Sequence, residues 1–324
     1  MPVLASKFRP PFFLRNGHVQ TMLPALFPLK LPFVFKRERI ELDDGDFLDL
    51  YWSRLGGESP RPLVILSHGL EGSAGNGYIV GMAAACNAAG WDALAWDFRC
   101  CGIEPNRLLR FYHSGETSDL ATVIARAAPQ YSRIALVGFS LGGNITLKYM
   151  GEAPPHPAVA GAVGISVPVD LAASARALDT RWANRIYLRR FLKTLIAKVE
   201  AKAPLFPGQI DIAGIRSVRS FREFDDRFTA RLHGFRDAED YWKQSSAIGY
   251  LRGITLPTLL LNARNDPFLS PESFPFIEAE SHPHLSLEAP QSGGHVGFID
   301  LANGMEPWSE KRVMEFLTAL PPRE

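Results

Sequence analysis

The sequence is short of several things, and each shortage closes off a class of function. It has three cysteines in 324 residues (Cys86, Cys100 and Cys101) and no C-x-x-C pair. Zinc knuckles and thioredoxin-type redox motifs are thereby excluded. Two of the three are adjacent, a poor arrangement for a structural disulfide, so the usage points to a reducing compartment, the cytoplasm. No charge of one sign prevails: 35 Lys and Arg against 34 Asp and Glu give a net charge of +1. A nucleic-acid binder carries a clear basic surplus, so no nucleic-acid partner is expected. No apolar run reaches the roughly 20 residues of a spanning helix, and the N-terminus lacks the pattern of a signal peptide. The greasiest stretch, Phe12 to Phe35, is broken by Arg15, Lys30 and the prolines at 24, 28 and 32. It is expected to lie as an irregular segment over the domain surface, with a peripheral lipid-facing patch as its functional alternative. P-loop, H-E-x-x-H, internal repeat and low-complexity tract are all missing.

What is present is an alternation. Arg37 to Leu42 and Phe47 to Trp52 flank Asp43-Asp44-Gly45-Asp46 and read as a hairpin. Beyond it, short apolar runs begin at Leu63, Asp92, Ile134, Val159, Thr258 and Leu285. Helical patterns lie between them at Tyr78–Ala89, Ser118–Ala128 and Leu141–Met150, and a last one at Glu306–Leu320. Strands that are apolar throughout, alternating with helices, mean βαβ units and a parallel sheet covered on both faces. With the hairpin, this predicts an α/β fold built on a mostly parallel, eight-stranded sheet.

Asp170 to Tyr250 breaks the alternation. Residues 171–250 carry 15 Lys and Arg but 9 Asp and Glu, a local net charge of +6 in a nearly neutral chain. Trp182, Ile186, Leu188, Leu192, Leu195 and Val199 recur at helical spacing. The expected organisation is an N-terminal segment over 1–36, a core over 37–169 and 251–324, and a helical cap over 170–250. The cap is either a solvated lobe or a lid whose basic surface meets an acidic headgroup or membrane.

The chemistry-bearing constellation begins at Gly138-Phe-Ser140-Leu-Gly142. A G-x-S-x-G match alone is weak; at average glycine and serine usage, roughly one chain in ten of this length has one by accident. Its place raises its weight, because Ser140 falls where a strand ends and a helix begins, as a nucleophile elbow requires. A serine hydroxyl attacks only when a base takes its proton. His295, in Ser292-Gly-Gly-His-Val-Gly-Phe298, lies in a glycine-rich loop after the last strand. Asp266, just past the strand that starts at Thr258, is placed to orient that base. The order Ser, Asp, His is that of the α/β-hydrolase fold, not of chymotrypsin or subtilisin. The oxyanion donors are expected to be the backbone N–H groups of Leu141, after the nucleophile, and of Leu70, in His68-Gly-Leu-Glu-Gly72. His68 itself reads as structural. Gly75-x-Gly77 mimics part of a dinucleotide fingerprint, but the third glycine stands at 81 instead of 80. No cofactor and no metal are expected.

Further blocks carry a resemblance. Asn16-Gly-His-Val-Gln-Thr21, His68-Gly-Leu-Glu-Gly-Ser73, Asp97-Phe-Arg99, Glu104-Pro-Asn106 and Tyr112-His-Ser-Gly-Glu-Thr117, with the serine and histidine motifs, resemble the YheT-like branch of the α/β hydrolases (AB hydrolase family 4). The resemblance runs over nearly the whole chain. It implies carboxylic-ester hydrolysis on a small-molecule ester, short- to medium-chain, with Ser140, Asp266 and His295 as triad. Arg99-Cys100-Cys101-Gly102 departs from the Arg-Gly-Cys pattern of that branch. Two other functions stay open: acyl transfer with the same triad, and an inert binding module that has kept the fold.

Overall fold

The computed structural model describes residues 3–27, 33–57, 61–301 and 307–321. Nine strands form one sheet in the order β1-β9-β8-β7-β6-β4-β5-β3-β2. They are β1 (Val3–Leu4), β2 (Lys36–Glu41), β3 (Phe47–Ser53), β4 (Leu63–Ser67), β5 (Asp92–Trp96), β6 (Ile134–Phe139), β7 (Val159–Ile165), β8 (Thr258–Leu261) and β9 (Leu285–Glu288). β3 pairs antiparallel with both β2 and β5, and all other pairings are parallel. Every residue of β4 to β9 is buried, as befits parallel strands with helices on both faces.

One apolar core joins the sheet to α3 (Thr117–Ala127) and α4 (Leu141–Glu152) through Leu120, Val123 and Ile145. A second joins the opposite face to α2 (Gly77–Ala88) and α11 (Trp308–Thr318) through Ile79, Met82, Val313 and Leu317. The last helix thus starts at Trp308, and Glu306, where it was expected to start, lies outside the described residues.

Two expectations need correction, both at the N-terminal segment. Val3–Leu4 pairs in parallel with Leu287 and Glu288, so a ninth strand joins the eight expected. Residues 17–26 are not irregular but form α1 (Gly17–Leu26). Asn16 caps this helix, its side chain accepting from the N–H groups of His18 and Val19. Pro24 lies within the helix instead of ending it. Buried Gln20 holds the helix down: its amide donates to Leu14 O (2.9 Å) and Ile299 O (2.8 Å) and accepts from Ile299 N (2.8 Å). The prolines at 28 and 32 lie outside the described residues.

Between β7 and β8 the chain is helical: α5 (Leu171–Thr180), α6 (Arg185–Lys202), α7 (Phe221–Phe224), α8 (Ala230–Leu232) and α9 (Ala238–Ser245). These helices share a third apolar cluster that includes Leu188, Leu192, Val199, Phe224 and Trp242. Trp182 and Ile186, in phase with that stripe in the sequence, are instead exposed. α10 (Phe276–Ser281) precedes β9.

From β4 the chain steps to β5 on one side, and from β6 to β7 on the other. β4 and β6 are neighbours, with Ser67 level with Gly138. The carboxyl ends of these two strands therefore border a topological switch point, the crevice where open α/β sheets place their ligands.

Candidate active site

Ser140 follows β6 directly and begins the turn into α4 with φ 52° and ψ −119°. This is strained territory for a side-chain-bearing residue, costing on the order of 1–3 kcal/mol. The flanking glycines let the turn close. A Cβ on Gly138 would collide with Gly142 O and Thr146 Oγ1, and one on Gly142 with the carbonyls of Ser67 and His68. The backbone is pinned by Ser140 N donating to Ile165 O (2.8 Å).

His295 sits 155 residues further on, yet its Nε2 lies 2.9 Å from Ser140 Oγ. Its Nδ1 lies 2.8 Å from Oδ2 of Asp266. A carboxylate only accepts, so Nδ1 carries the proton and Nε2 presents its lone pair to the serine. The Asp266 carboxylate is fully buried, and its other oxygen accepts from Phe268 N (2.9 Å). Phe268 also covers the His295 ring, with centroids 4.2 Å apart. The structure therefore brings Ser140, His295 and Asp266 into one hydrogen-bonded line.

The histidine loop is held from outside its own sequence. His295 N donates to Thr21 Oγ1 (2.9 Å), and Val296 N donates to Ser166 Oγ at the end of β7 (2.9 Å). Asn265 Nδ2 donates to Arg15 O (2.7 Å), and its Oδ1 accepts from Gly294 N (3.0 Å). Gly294 needs its φ of 59° and its lack of a Cβ, because Gly17 O and Gln20 press against it. Sequence reasoning missed Thr21 and Ser166. Thr21 closes the Asn16-Gly-His-Val-Gln-Thr21 block, so a signal existed without a role attached to it.

Leu70 and Leu141 line the same cavity as Ser140 and His295. Leu141 is the first residue of α4, where an N–H has no partner within the helix. The loop carrying Leu70 is fastened on every side. Gly69 N donates to Tyr78 Oη (3.0 Å) and Glu71 N to Tyr112 Oη (3.0 Å). Tyr112 returns its proton to Glu71 Oε1 (2.8 Å), which also accepts from Lys198 Nζ on α6 (2.5 Å). His68 is buried, with Nδ1 on Gly69 O (2.7 Å) and Nε2 accepting from Phe98 N (3.1 Å). Burial lowers its pKa to about 3. Both ring nitrogens are occupied, so His68 shapes the loop, as read from the sequence.

The other blocks of the resemblance are architectural. Arg99 is buried and donates twice to Asp119 (2.8 Å each) while pairing with Asp44 and Asp46. Asn106 bridges Asp46, Phe47 O and Cys100 N. Asn144 ties α4 to Ser114 O, Ser245 O and Ala247 N.

The cavity measures about 140 Å³ and is walled mainly by apolar side chains, among them Phe111, Leu178, Phe191, Val199 and Phe224. α5 to α9 supply most of its roof. His113, His233, Asp225 and Tyr241 also line it. Burial pushes His113 and His233 down to about 3 and raises Asp225 to about 7. A second cavity of about 240 Å³ also touches His295, between Pro24, Phe27, Tyr78 and Arg190. Among the described residues no group of His, Cys, Asp and Glu is placed to hold a metal ion.

Comparison with known proteins identifies the family. The profile of the alpha/beta hydrolase fold matches residues 62–301. YheT of Escherichia coli, named provisionally as an esterase, is 38% identical over 97% of this chain and 94% of its own. Human phospholipase ABHD3 is 28% identical over 92% of this chain and 75% of its own. The monoacylglycerol lipase of Saccharomyces cerevisiae is 26% identical over 82% of this chain and 60% of its own. Among solved structures, a Pyrococcus furiosus esterase superposes with a TM-score of 0.59 at 20% identity, covering 89% of this chain and 91% of its own.

Proposed function

Because this chain belongs to the α/β-hydrolase family, in its YheT-like branch, we propose that it is a serine esterase that cleaves short- to medium-chain carboxylic esters through an acyl-enzyme. Ser140 Oγ attacks the ester carbonyl while His295 Nε2 takes its proton. Asp266 holds the imidazole tautomer and stabilises the imidazolium that forms. The negative oxygen of the tetrahedral intermediate is received by the N–H groups of Leu70 and Leu141, each worth about 3 kcal/mol at the transition state. The protonated His295 then gives its proton to the leaving alkoxide. In the second half a water, deprotonated by His295, attacks the acyl group and frees Ser140.

The observation that carries this reading is the unbroken line Asp266–His295–Ser140, at 2.8 and 2.9 Å, opening into an apolar cavity. The cavity takes the acyl chain, and α5 to α9 act as its lid. Relatives named as a phospholipase and a monoacylglycerol lipase support an acyl ester as substrate class. The test is turnover of p-nitrophenyl esters from acetate to palmitate, with Ser140→Ala beside the unmodified chain. Loss of turnover and of fluorophosphonate labelling is expected in the variant. Undiminished turnover would sink the assignment, and equal rates across chain lengths would refute a shaped acyl pocket.

Acyl transfer is the second reading, favoured by the apolar lid over the acyl site. Product ratios with an added alcohol acceptor decide between them.

A further inference from the structure

α1 is built inside out. The residue it buries completely is Gln20, while Val19, Met22 and Leu26, at i, i+3 and i+7, form an exposed apolar stripe. Leu26 is 63% exposed. Just upstream, Phe12 and Phe13 are 80% and 56% exposed, although Leu14 between them and the helix is buried. Core packing explains none of these side chains.

The cap continues the same face. His18 of α1 stacks on Tyr187 of α6, with Nδ1 3.1 Å from the phenol oxygen. The neighbouring Ile186 and, one turn earlier, Trp182 are 61% and 83% exposed. The same flank of α6 carries Arg185, Arg189, Arg190 and Lys193, all exposed. Among the described residues none of these four has an acidic partner. Arg190 and Phe27 also border the second cavity, which leads to His295.

Apolar and aromatic side chains rimmed by unpaired cations, on α1, α6 and the short turns that precede them, bridged by the His18–Tyr187 stack, are what an interfacial surface for anionic lipid requires. A protein partner would need acidic groups matched to the cations in position; a bilayer needs only negative charge and an apolar layer. We propose that the face formed by Phe12 to Phe27, Trp182 and the first half of α6 docks on an anionic lipid bilayer, with the second cavity opening towards it. This surface is independent of the chemistry assigned to Ser140.

The test is co-sedimentation of the full chain with vesicles of phosphatidylcholine alone or mixed with phosphatidylglycerol. Stronger binding to the mixed vesicles, weakened by salt, is expected, with a blue shift of tryptophan emission that Trp182→Phe removes. Phe12→Ser combined with Trp182→Ser should weaken binding about tenfold or more. Arg185→Glu with Arg189→Glu should abolish the preference for the anionic vesicles, at about fivefold per charge removed. All four residues are exposed and away from Ser140, so turnover of p-nitrophenyl acetate should stay within about twofold. Ser140→Ala should bind vesicles like the unmodified chain, which keeps this test separate from that of the esterase. Failure to bind either vesicle, or equal binding by the variants, would overturn the proposal. So would a concentration-dependent dimer that shields Trp182, since the face would then belong to a second copy.

Discussion

Replacing Thr21 by valine should separate the holding of His295 from the folding of the domain. Valine keeps the shape of the side chain and removes the hydroxyl that accepts from His295 N at 2.9 Å. The same hydroxyl donates to Gly17 O (2.7 Å), so its lone pairs are aimed at the histidine loop. An unsatisfied N–H in a partly buried loop costs about 1–3 kcal/mol. For a domain of this size about 2 kcal/mol lowers Tm by about 3 °C. The effect on turnover should be larger than that on stability. His295 must keep Nε2 2.9 Å from Ser140 Oγ, and misplacement of a catalytic group by about 1 Å costs on the order of 100-fold. The expected result is a fall in kcat of about 10- to 100-fold with KM little changed, and recovery of activity in Thr21→Ser. Thr122→Val is the control, since its hydroxyl donates only to Ser118 O on an exposed helix face. A kcat within about twofold of the unmodified chain, whatever the Tm, would refute the positioning role. Equal behaviour of Thr21→Val and Thr21→Ser would also refute it.

Asp266→Asn should lower kcat by about 10³- to 10⁴-fold while leaving the fold intact, because the amide favours the wrong imidazole tautomer; steady-state kinetics beside circular dichroism check this, and a loss under tenfold would contradict it. Lys198→Met leaves the Glu71 carboxylate, 9% exposed, without its cation, and should destabilise by about 3–5 kcal/mol in urea unfolding. Adding Glu71→Gln should restore most of that; a double variant no more stable than the single would refute the pairing. His233 is held neutral chiefly by burial, its pKa lowered to about 3. The unfolded chain takes up this proton below about pH 6.5 while the native chain does not, so acid subtracts stability there and higher pH restores it. His233→Phe should therefore flatten the loss of unfolding free energy between about pH 6 and pH 4 by roughly 1.4 kcal/mol per unit; an unchanged slope would count against a neutral His233.

Much of the site was legible because its residues announce themselves by position. Ser140 stands between a buried strand and a helix, and the glycines at 138 and 142 are there because neighbouring backbone leaves no room for a Cβ. His295 and Asp266 each follow a short strand that is buried throughout. What stayed hidden depends on contacts that no local pattern encodes. A two-residue strand such as Val3–Leu4 has no period to detect. The helix of residues 17–26 was misread because its apolar stripe faces out and its anchor is a glutamine, the reverse of a core-facing helix. Trp182 and Ile186 fit the helical spacing of the cap but lie on its outer flank. Cys100, where the resemblance implies glycine, takes a φ of 64°, a conformation in which glycine is unstrained; the departure in sequence marks a backbone position that the sequence alone could not reveal.

The hydrogen bonds from Gln20 to Ile299 and from His295 to Thr21 join residues 279 and 274 apart along the chain. Closing a loop of that length has an entropic cost that scales as about 1.5RT ln n, on the order of 5 kcal/mol. Contacts of this kind form only once the intervening sheet has brought the ends together. The base of the site is therefore among the last parts to settle. On refolding from urea, ester turnover should recover after the burial of the core tryptophans Trp52, Trp91 and Trp96, and a nascent chain that has already folded around Ser140 stays hydrolytically silent until the histidine loop meets α1.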